Sequence, residues 1–288
     1  MAAGGGVPPP EAVKGGARKG ISTVVVIVIA VATFLAGLGV GAYVLAPAPT
    51  TPQVTKLFVG TNTPFPPFEF RNATTDIIEG FDIDLIGAIL TRAGYTSELN
   101  DFRDFGALLT AVGTGRMDIA VSAITMNGDL GAQRNQTMSF SDPYYESDQG
   151  ILALTSDTRT FCANANNCLA SELNLATYKV AFQTLTSSQY WAEDNLANAD
   201  LTDYPDVTQV LQTLSTGAVD FVVIDRPAAV GIAAGNPQFR VAGTIQTNEL
   251  FSFAVAKGDP LGLLPKINDA LRALRANGTY DTLVNKWF

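Results

Sequence analysis

The chain has 288 residues, of which 47% are hydrophobic and 16% charged, enough apolar content to bury a sizeable core in one large or two ordinary domains. With 18 Lys and Arg against 27 Asp and Glu the net charge is -9, which leaves no basic stripe to neutralise phosphates and excludes nucleic acid as a partner. Histidine is absent, which removes histidine acid–base catalysis, Ser-His-Asp triads and the commonest zinc ligand. Nothing in the sequence calls for a cofactor or a metal ion.

Residues 1–20 are rich in Gly, Ala and Pro, carry Lys14, Arg18 and Lys19 near their end, and are expected to be a disordered cytoplasmic N-terminus. Residues 21–46, ISTVVVIVIAVATFLAGLGVGAYVLA, are uncharged and apolar, and about 20 such residues already span a bilayer. The preceding positive residues place the N-terminus inside and everything later outside. A retained single-pass anchor is expected, with a cleaved secretory signal as the alternative, although a signal's apolar core is usually only about 7 to 15 residues. Residues 47–55 form a Pro/Thr-rich linker. Farther on, Cys162 and Cys168 bracket CANANNC; outside the cytoplasm they read most simply as a disulfide closing a small surface loop, with free thiols as the alternative.

The rest of the chain alternates helical and strand patterns, which argues for an α/β architecture. Residues 82–93 put Ile83, Ile86, Ile89, Leu90 and Ala93 on one helical face, with Gly94 as a stop. Asp104 can cap a second helix with apolar Phe105, Leu108, Leu109 and Val112, ending at Gly115 and followed by a buried strand over 118–122. That pattern recurs: Leu109, Val112, Thr114-Gly115 and Asp118 correspond to Leu211, Leu214, Thr216-Gly217 and Asp220. Two similar lobes are therefore expected. In open α/β sheets ligands sit outside the carboxyl ends of strands, here residues 122–125 and 224–226, so a cleft between the lobes follows. A last helix should open at Asp259-Pro260, bury Ile267, Leu271 and Leu274, and close at Asn277-Gly278, before a short aromatic-ended helix over 280–288.

GTNTPFPPFEF, GFDIDLIGAI, FGALLTAVGTGRMDIAVSAIT, FSDPYYES, VAFQTLTSSQYW, VDFVVIDRPAA and ANGTYDTLVNKWF follow one another in an order that resembles the extracytoplasmic solute-binding proteins of polar amino-acid ABC transporters (bacterial solute-binding protein family 3). The resemblance covers residues 55–288. It implies a two-lobed periplasmic-binding-protein-like type II fold with a ligand cleft between the lobes, here preceded by one N-terminal transmembrane helix. Lobe 1 would comprise 56–153 plus 250–288 and lobe 2 residues 154–249, with crossings near 152–154 and 248–252. The implied protein is a monomer and not an enzyme. It is tethered to the cell membrane with its binding domain extracytoplasmic, and it captures a free amino acid and delivers it to an ABC transporter permease.

The resemblance also assigns roles. Arg134 takes the ligand α-carboxylate, for which its fixed fork of N–H groups is suited; a surface salt bridge to Asp129 or Asp142 is the alternative. Ser122, Ala123 and Thr125 supply hydroxyl and backbone groups. Asp225 receives the α-ammonium, unless it merely caps the helix beginning at Arg226-Pro227. Thr186 and Ser187 open a second-lobe helix whose N-terminus favours the carboxylate. Phe65 and Phe105 flank the ligand. Asn62 stands where relatives that bind cationic amino acids carry aspartate, which favours a neutral polar or acidic ligand. MNGDLGAQ before Arg134 is longer than usual, and Leu185 replaces a glycine in the second-lobe turn. A cyclohexadienyl dehydratase-like enzyme on the same fold and a ligand-sensing subunit are the alternative functions.

Overall fold

The computed structural model describes residues 55–288. The expected disordered N-terminus, the membrane anchor over 21–46 and nearly all of the linker lie outside the described residues. Among the described residues no helix is long and apolar enough to cross a membrane.

The chain begins with β1 (Lys56–Thr61), then a small ribbon of β2 (Phe70–Arg71) and β3 (Ile78–Glu79) leads into α1 (Phe81–Arg92). Next come β4 (Thr96–Asp101), α2 (Phe105–Gly113), β5 (Ile119–Ala120), α3 (Gly128–Arg134) and β6 (Met138–Phe140). The long β7 (Tyr145–Leu154) opens a second unit made of α4 (Ala170–Leu173), β8 (Lys179–Gln183), α5 (Ser187–Asn195), β9 (Asp200–Tyr204), α6 (Val207–Ser215), β10 (Phe221–Asp225) and α7 (Arg226–Gly235). The equally extended β11 (Phe239–Phe251) leads back to β12 (Ala254–Ala256), α8 (Leu264–Ala276) and α9 (Thr279–Trp287).

Two five-stranded sheets result, ordered β4-β1-β5-β12-β6 and β11-β7-β10-β8-β9. In the first, β1 runs parallel to β4 and β5, and β12 antiparallel to β5 and β6. In the second, β8 runs parallel to β9 and β10, while β7 runs antiparallel to β10 and β11. Each sheet has its own apolar core. Leu57, Phe68, Phe81, Ile89 and Phe253 belong to the first lobe; Ile151, Phe182, Phe221 and Val223 belong to the second. Leu152 is also in the second-lobe core and pairs with Val222, whereas Tyr144 and Tyr145 pack in the first. The change of lobe along β7 therefore falls between Tyr145 and Ile151, earlier than the expected 152–154. On β11 the ladder is irregular between Ile245 and Glu249, and Asn248 there has φ 52°.

The repeated unit recurs down to its hydrogen bonds. Asp104 caps α2 by accepting from the Ala107 N–H at 3.0 Å, and Asp206 caps α6 by accepting from the Thr208 N–H at 2.7 Å. Gly115 and Gly217 then take φ 72° and 71°, the left-handed turn that frees the chain from the helix and that glycine adopts without a steric penalty. In each lobe the aspartate ahead of the strand forms a two-bond bracket with its neighbour. Asp118 N–H donates to the Phe58 carbonyl and its carboxylate accepts from Phe58 N–H at 2.7 Å. Asp220 does the same with Lys179, again at 2.7 Å.

Local expectations shift in three places. In α1 the buried apolar residues are Phe81, Leu85, Ile86, Ile89 and Leu90, while Ile83 and Ala93 are only half-buried. α8 starts at Leu264 rather than Asp259, because the Asp259 carboxylate reaches forward to accept from the N–H groups of Leu263 and Leu264 at 2.8 and 2.9 Å. MNGDLGAQ folds largely as α3.

Cys162 and Cys168 form a disulfide and both are buried. The loop it closes lies along the edge strand β11: Cys168 N–H donates to the Thr244 carbonyl and Thr244 N–H donates to the Ala165 carbonyl. It thereby covers backbone groups that an open sheet edge would offer to another chain.

Candidate functional site

The site forms where the two lobes face each other at the carboxyl ends of β5 and β10. On the first-lobe side the chain leaves β5 and runs through Ser122, Ala123 and Thr125. Ala123 has φ 45°, unusual for a residue with a side chain, and its N–H donates to Asp82 Oδ2 at 2.9 Å. Ser122 Oγ donates to Glu69 Oε1 at 2.7 Å, and Thr125 Oγ1 donates to Glu249 Oε2 at 2.7 Å.

Arg134 is the last residue of α3, which Asn127 fastens to β11 by donating to the Asn248 carbonyl and accepting from Leu250 N–H. The longer segment therefore delivers the arginine into the cleft. Its side chain is buried over the ring of Phe105, with the guanidinium carbon 5.5 Å from the ring centre. Nη1 donates to the Thr125 carbonyl and Nη2 crosses the cleft to the Leu185 carbonyl, both at 2.8 Å. Nε is buried without a partner, so several of the five N–H donors remain for a ligand. Burial lowers the guanidinium to about 10, against the pull of Glu249 and Asp225, and it stays charged at neutral pH. The alternative salt bridge does not form with Asp142, which pairs with Arg272.

On the second-lobe side, Asp225 sits at the cap position of α7 but makes no capping hydrogen bond with its side chain. Its carboxylate accepts instead from Gln149 Nε2. Burial, and next the nearby Glu249, push its pKa well above the usual carboxylate range, while Gln149 and Arg134 oppose the shift. Thr186 does cap α5, accepting from Gln189 N–H at 3.3 Å while its hydroxyl donates to the Gln183 carbonyl at 2.6 Å. Ser187 Oγ lies 3.4 Å from Thr125 Oγ1 of the other lobe and accepts from Gln149 Nε2 at 3.1 Å. Leu185 takes φ 63°, so the residue standing in for glycine keeps the left-handed backbone that glycine favours.

Asn62 is engaged on every side. Its amide donates to the carbonyls of Phe102 and Arg103 at 2.6 and 3.1 Å, and its oxygen accepts from Gln183 Nε2 of the opposite lobe at 2.9 Å. Phe65 is half-buried and touches the cores of both lobes.

Asn62, Phe65, Phe105, Ser122, Ala123, Thr125, Arg134, Thr186, Ser187 and Asp225 all line one cavity, and Gln183 completes the lining. Sequence reasoning missed Gln183, and behind the lining it missed Gln149, Glu249, Glu69 and Asp82. Gln149 links Asp225, Glu249 and Ser188, the last donating to its Oε1 at 2.7 Å. A polar residue ending an apolar strand, as in VAFQ, is a signal that could have found Gln183. Glu69 and Asp82 stand within PPFEF and GFDIDL, where nothing local marks either as buried.

Comparison with known proteins gives a consistent answer. Residues 57–288 match the bacterial extracellular solute-binding proteins, family 3. A probable histidine-binding protein of Neisseria gonorrhoeae is 28% identical over 255 residues, covering 87% of this chain and 88% of that one. Among solved structures, an ancestral arginine-binding protein bound to glutamine is 30% identical with a TM-score of 0.72, over 81% of this chain and 97% of that one. AncCDT-1, an ancestral amino acid-binding protein and precursor of cyclohexadienyl dehydratase, is 31% identical with a TM-score of 0.69, over 81% and 95% of the two chains. The two-lobed α/β architecture and the match along nearly all of the described residues lead to one conclusion: the chain belongs to the bacterial extracellular solute-binding proteins, family 3.

Proposed function

We propose that the protein captures a free amino acid between its lobes and delivers it to an ABC transporter permease, held at the outer face of the membrane by the apolar segment 21–46. The observation that carries this reading is the placement of a buried guanidinium, Arg134, and a buried carboxyl group, Asp225, on opposite lobes lining one cavity, where a ligand ammonium would favour the ionised form of Asp225. A zwitterion presents a carboxylate and an ammonium a short distance apart, and each group finds its complement on a different lobe. Both pairings strengthen as closure excludes water. Ligand contacts to both lobes then shift the population toward the closed form, the hinge motion typical of periplasmic binding proteins.

The site favours a neutral polar side chain. Arg134 is the one cation lining the cavity among the described residues, so once it holds the α-carboxylate no second cation receives an acidic side chain. Asn62 offers no carboxylate to a cationic one. The relatives support the amino-acid class: one is named for histidine, and another is an arginine-binding protein solved with glutamine. A thermal-shift screen of the full chain against the twenty amino acids tests this. Stabilisation by neutral polar amino acids above lysine, arginine, aspartate and glutamate is expected, and the reverse order would refute the side-chain reading.

The dehydratase alternative would use Asp225 as its general acid, a buried carboxyl in the cleft whose pKa burial pushes up. Incubation with prephenate is expected to yield no product; turnover would displace the transport reading.

A further inference from the structure

Beneath the first-lobe edge of the cavity lie two carboxyl groups that the clamp itself does not use. Glu69 and Asp82 are both fully buried and adjoin: Asp82 N–H donates to the carbonyl of Phe68, the residue before Glu69, and the two carboxyl groups hold the neighbouring residues Ser122 and Ala123. Glu69 Oε1 accepts from Ser122 Oγ at 2.7 Å, and Asp82 Oδ2 accepts from Ala123 N–H at 2.9 Å and Tyr144 O–H at 2.6 Å. The remaining oxygens, Glu69 Oε2 and Asp82 Oδ1, are buried with no partner. Two orphaned oxygens on adjoining carboxyl groups have a simple common solution, because a single proton between them satisfies both.

We infer that Glu69 and Asp82 share one proton at neutral pH, and that this dyad fixes the Ser122 hydroxyl as a hydrogen-bond acceptor facing the cavity. The groups around the dyad leave no other way to balance its charge. Among the described residues no Lys or Arg pairs with or hydrogen-bonds to either carboxyl. Asp225 from the second lobe and Asp101 from β4 add negative potential at Glu69. Tyr144 ahead of β7 is a neutral donor, and Asp84 on α1 turns away to Lys286 and Trp287 of α9. Two adjoining buried carboxylates cannot both ionise without a large desolvation and repulsion cost.

The consequence for the site follows from hydrogen-bond direction. A hydroxyl has one proton to give, and Ser122 gives it to Glu69, so only its lone pairs face the cavity it lines. Ser122 becomes a first-lobe acceptor for the ligand ammonium, opposite Asp225 and beside Thr125, whose proton goes to Glu249; this step rests on the amino-acid reading above. Glu69 and Asp82 are positioning residues that act through Ser122 and do not touch the ligand. Burial raises Glu69 well above the usual carboxylate range and Asp82 to about 6. A carboxyl raised in the folded state contributes stability on the acid side that is lost as pH rises through its folded value. Stability from the dyad should therefore decline from about pH 4, where the unfolded carboxyls ionise, with the Asp82 part complete by about pH 6 and the Glu69 part continuing above it.

The test is a set of infrared difference spectra of the full-length protein at neutral pH, with melting temperature followed against pH. A protonated-carboxyl C=O band is expected in the wild type and should be missing from both Glu69→Gln and Asp82→Asn, each of which replaces the shared proton with an amide N–H. Asp225→Asn controls for the other buried carboxyl. Glu69→Gln should also flatten the loss of melting temperature above about pH 6. Titration with L-glutamine should give roughly tenfold weaker binding for Ser122→Ala, the loss expected for one hydrogen bond to a charged group. A band absent from the wild type, or surviving in both dyad variants, would overturn the shared proton. Equal affinity of Ser122→Ala and wild type would overturn the acceptor role. If the wild type shows the band but binds no amino acid, the proposed function falls and the shared proton stands.

Discussion

The two lobes are built on the same unit and differ where it ends. Each has an aspartate-capped helix, a left-handed glycine, and an aspartate that brackets the neighbouring strand with two hydrogen bonds. At the strand's carboxyl end the first lobe turns through Ala123 with φ 45°, its N–H held by Asp82, and offers backbone and hydroxyl groups. The equivalent place in the second lobe is Asp225, a buried carboxylate at a helix N-terminus that leaves the capping bond unmade. The framework tolerates repetition because caps, turns and brackets are backbone solutions, indifferent to what the cleft must hold. The strand end faces the cleft, and there the chemistry diverges, as the proposed clamp on a zwitterion requires.

Removing the charge from either jaw tests that divergence most severely. Arg134→Ala deletes a buried fork and leaves Asp225 and Glu249 uncompensated; amino-acid affinity measured by calorimetry should fall more than a hundredfold, on the order of 3 kcal/mol, with the circular dichroism spectrum preserved. Asp225→Asn keeps the shape but loses the acceptor charge, and a loss of about 2 kcal/mol in binding is expected from the same titration. Should both variants bind like the wild type, the lobes would not divide the zwitterion between them.

Smaller effects belong to the framework. Replacing Cys162 and Cys168 with serine opens a short loop that only the second lobe possesses, and should cost about 2 kcal/mol in denaturant unfolding while leaving affinity unchanged. The shared caps should behave alike: Asp104→Ala and Asp206→Ala are each expected to lose about 1 kcal/mol, and a large disparity would show that the two units are not energetically equivalent. Leu185→Gly should be the mildest change. Leu185 is well exposed and strained at φ 63°, so thermal melting should show a gain of up to about 1 kcal/mol.

Much of this arrangement was legible in the sequence for an identifiable reason. Strand ends announce themselves where an apolar run meets a polar residue, as at Ile224-Asp225, and helix starts where an aspartate precedes an apolar period, as at Asp104. Family resemblance then located Arg134, whose carrier helix α3 has no strong periodicity of its own. Contacts made by long connecting strands were not legible. Gln149 and Glu249 lie a hundred residues apart on β7 and β11, and nothing local marks either as part of a network that also holds Asp225 and Thr125. Asp82 was hidden differently: it opens a helix, where acidic residues are commonplace, and its burial depends on Tyr144 and Ala123 arriving from elsewhere. The start of α8 was misplaced because Asp259 caps from several residues away through its side chain.

Calorimetric titration of the wild type, Arg134→Ala, Asp225→Asn and the double variant, using the amino acid that stabilises the full chain most, bears most directly on the clamp. The expected result is saturable binding by the wild type, severe loss in each single variant, and a double variant little worse than Arg134→Ala, because both jaws must engage for the lobes to close on the ligand. Wild-type affinity retained in Arg134→Ala would contradict it.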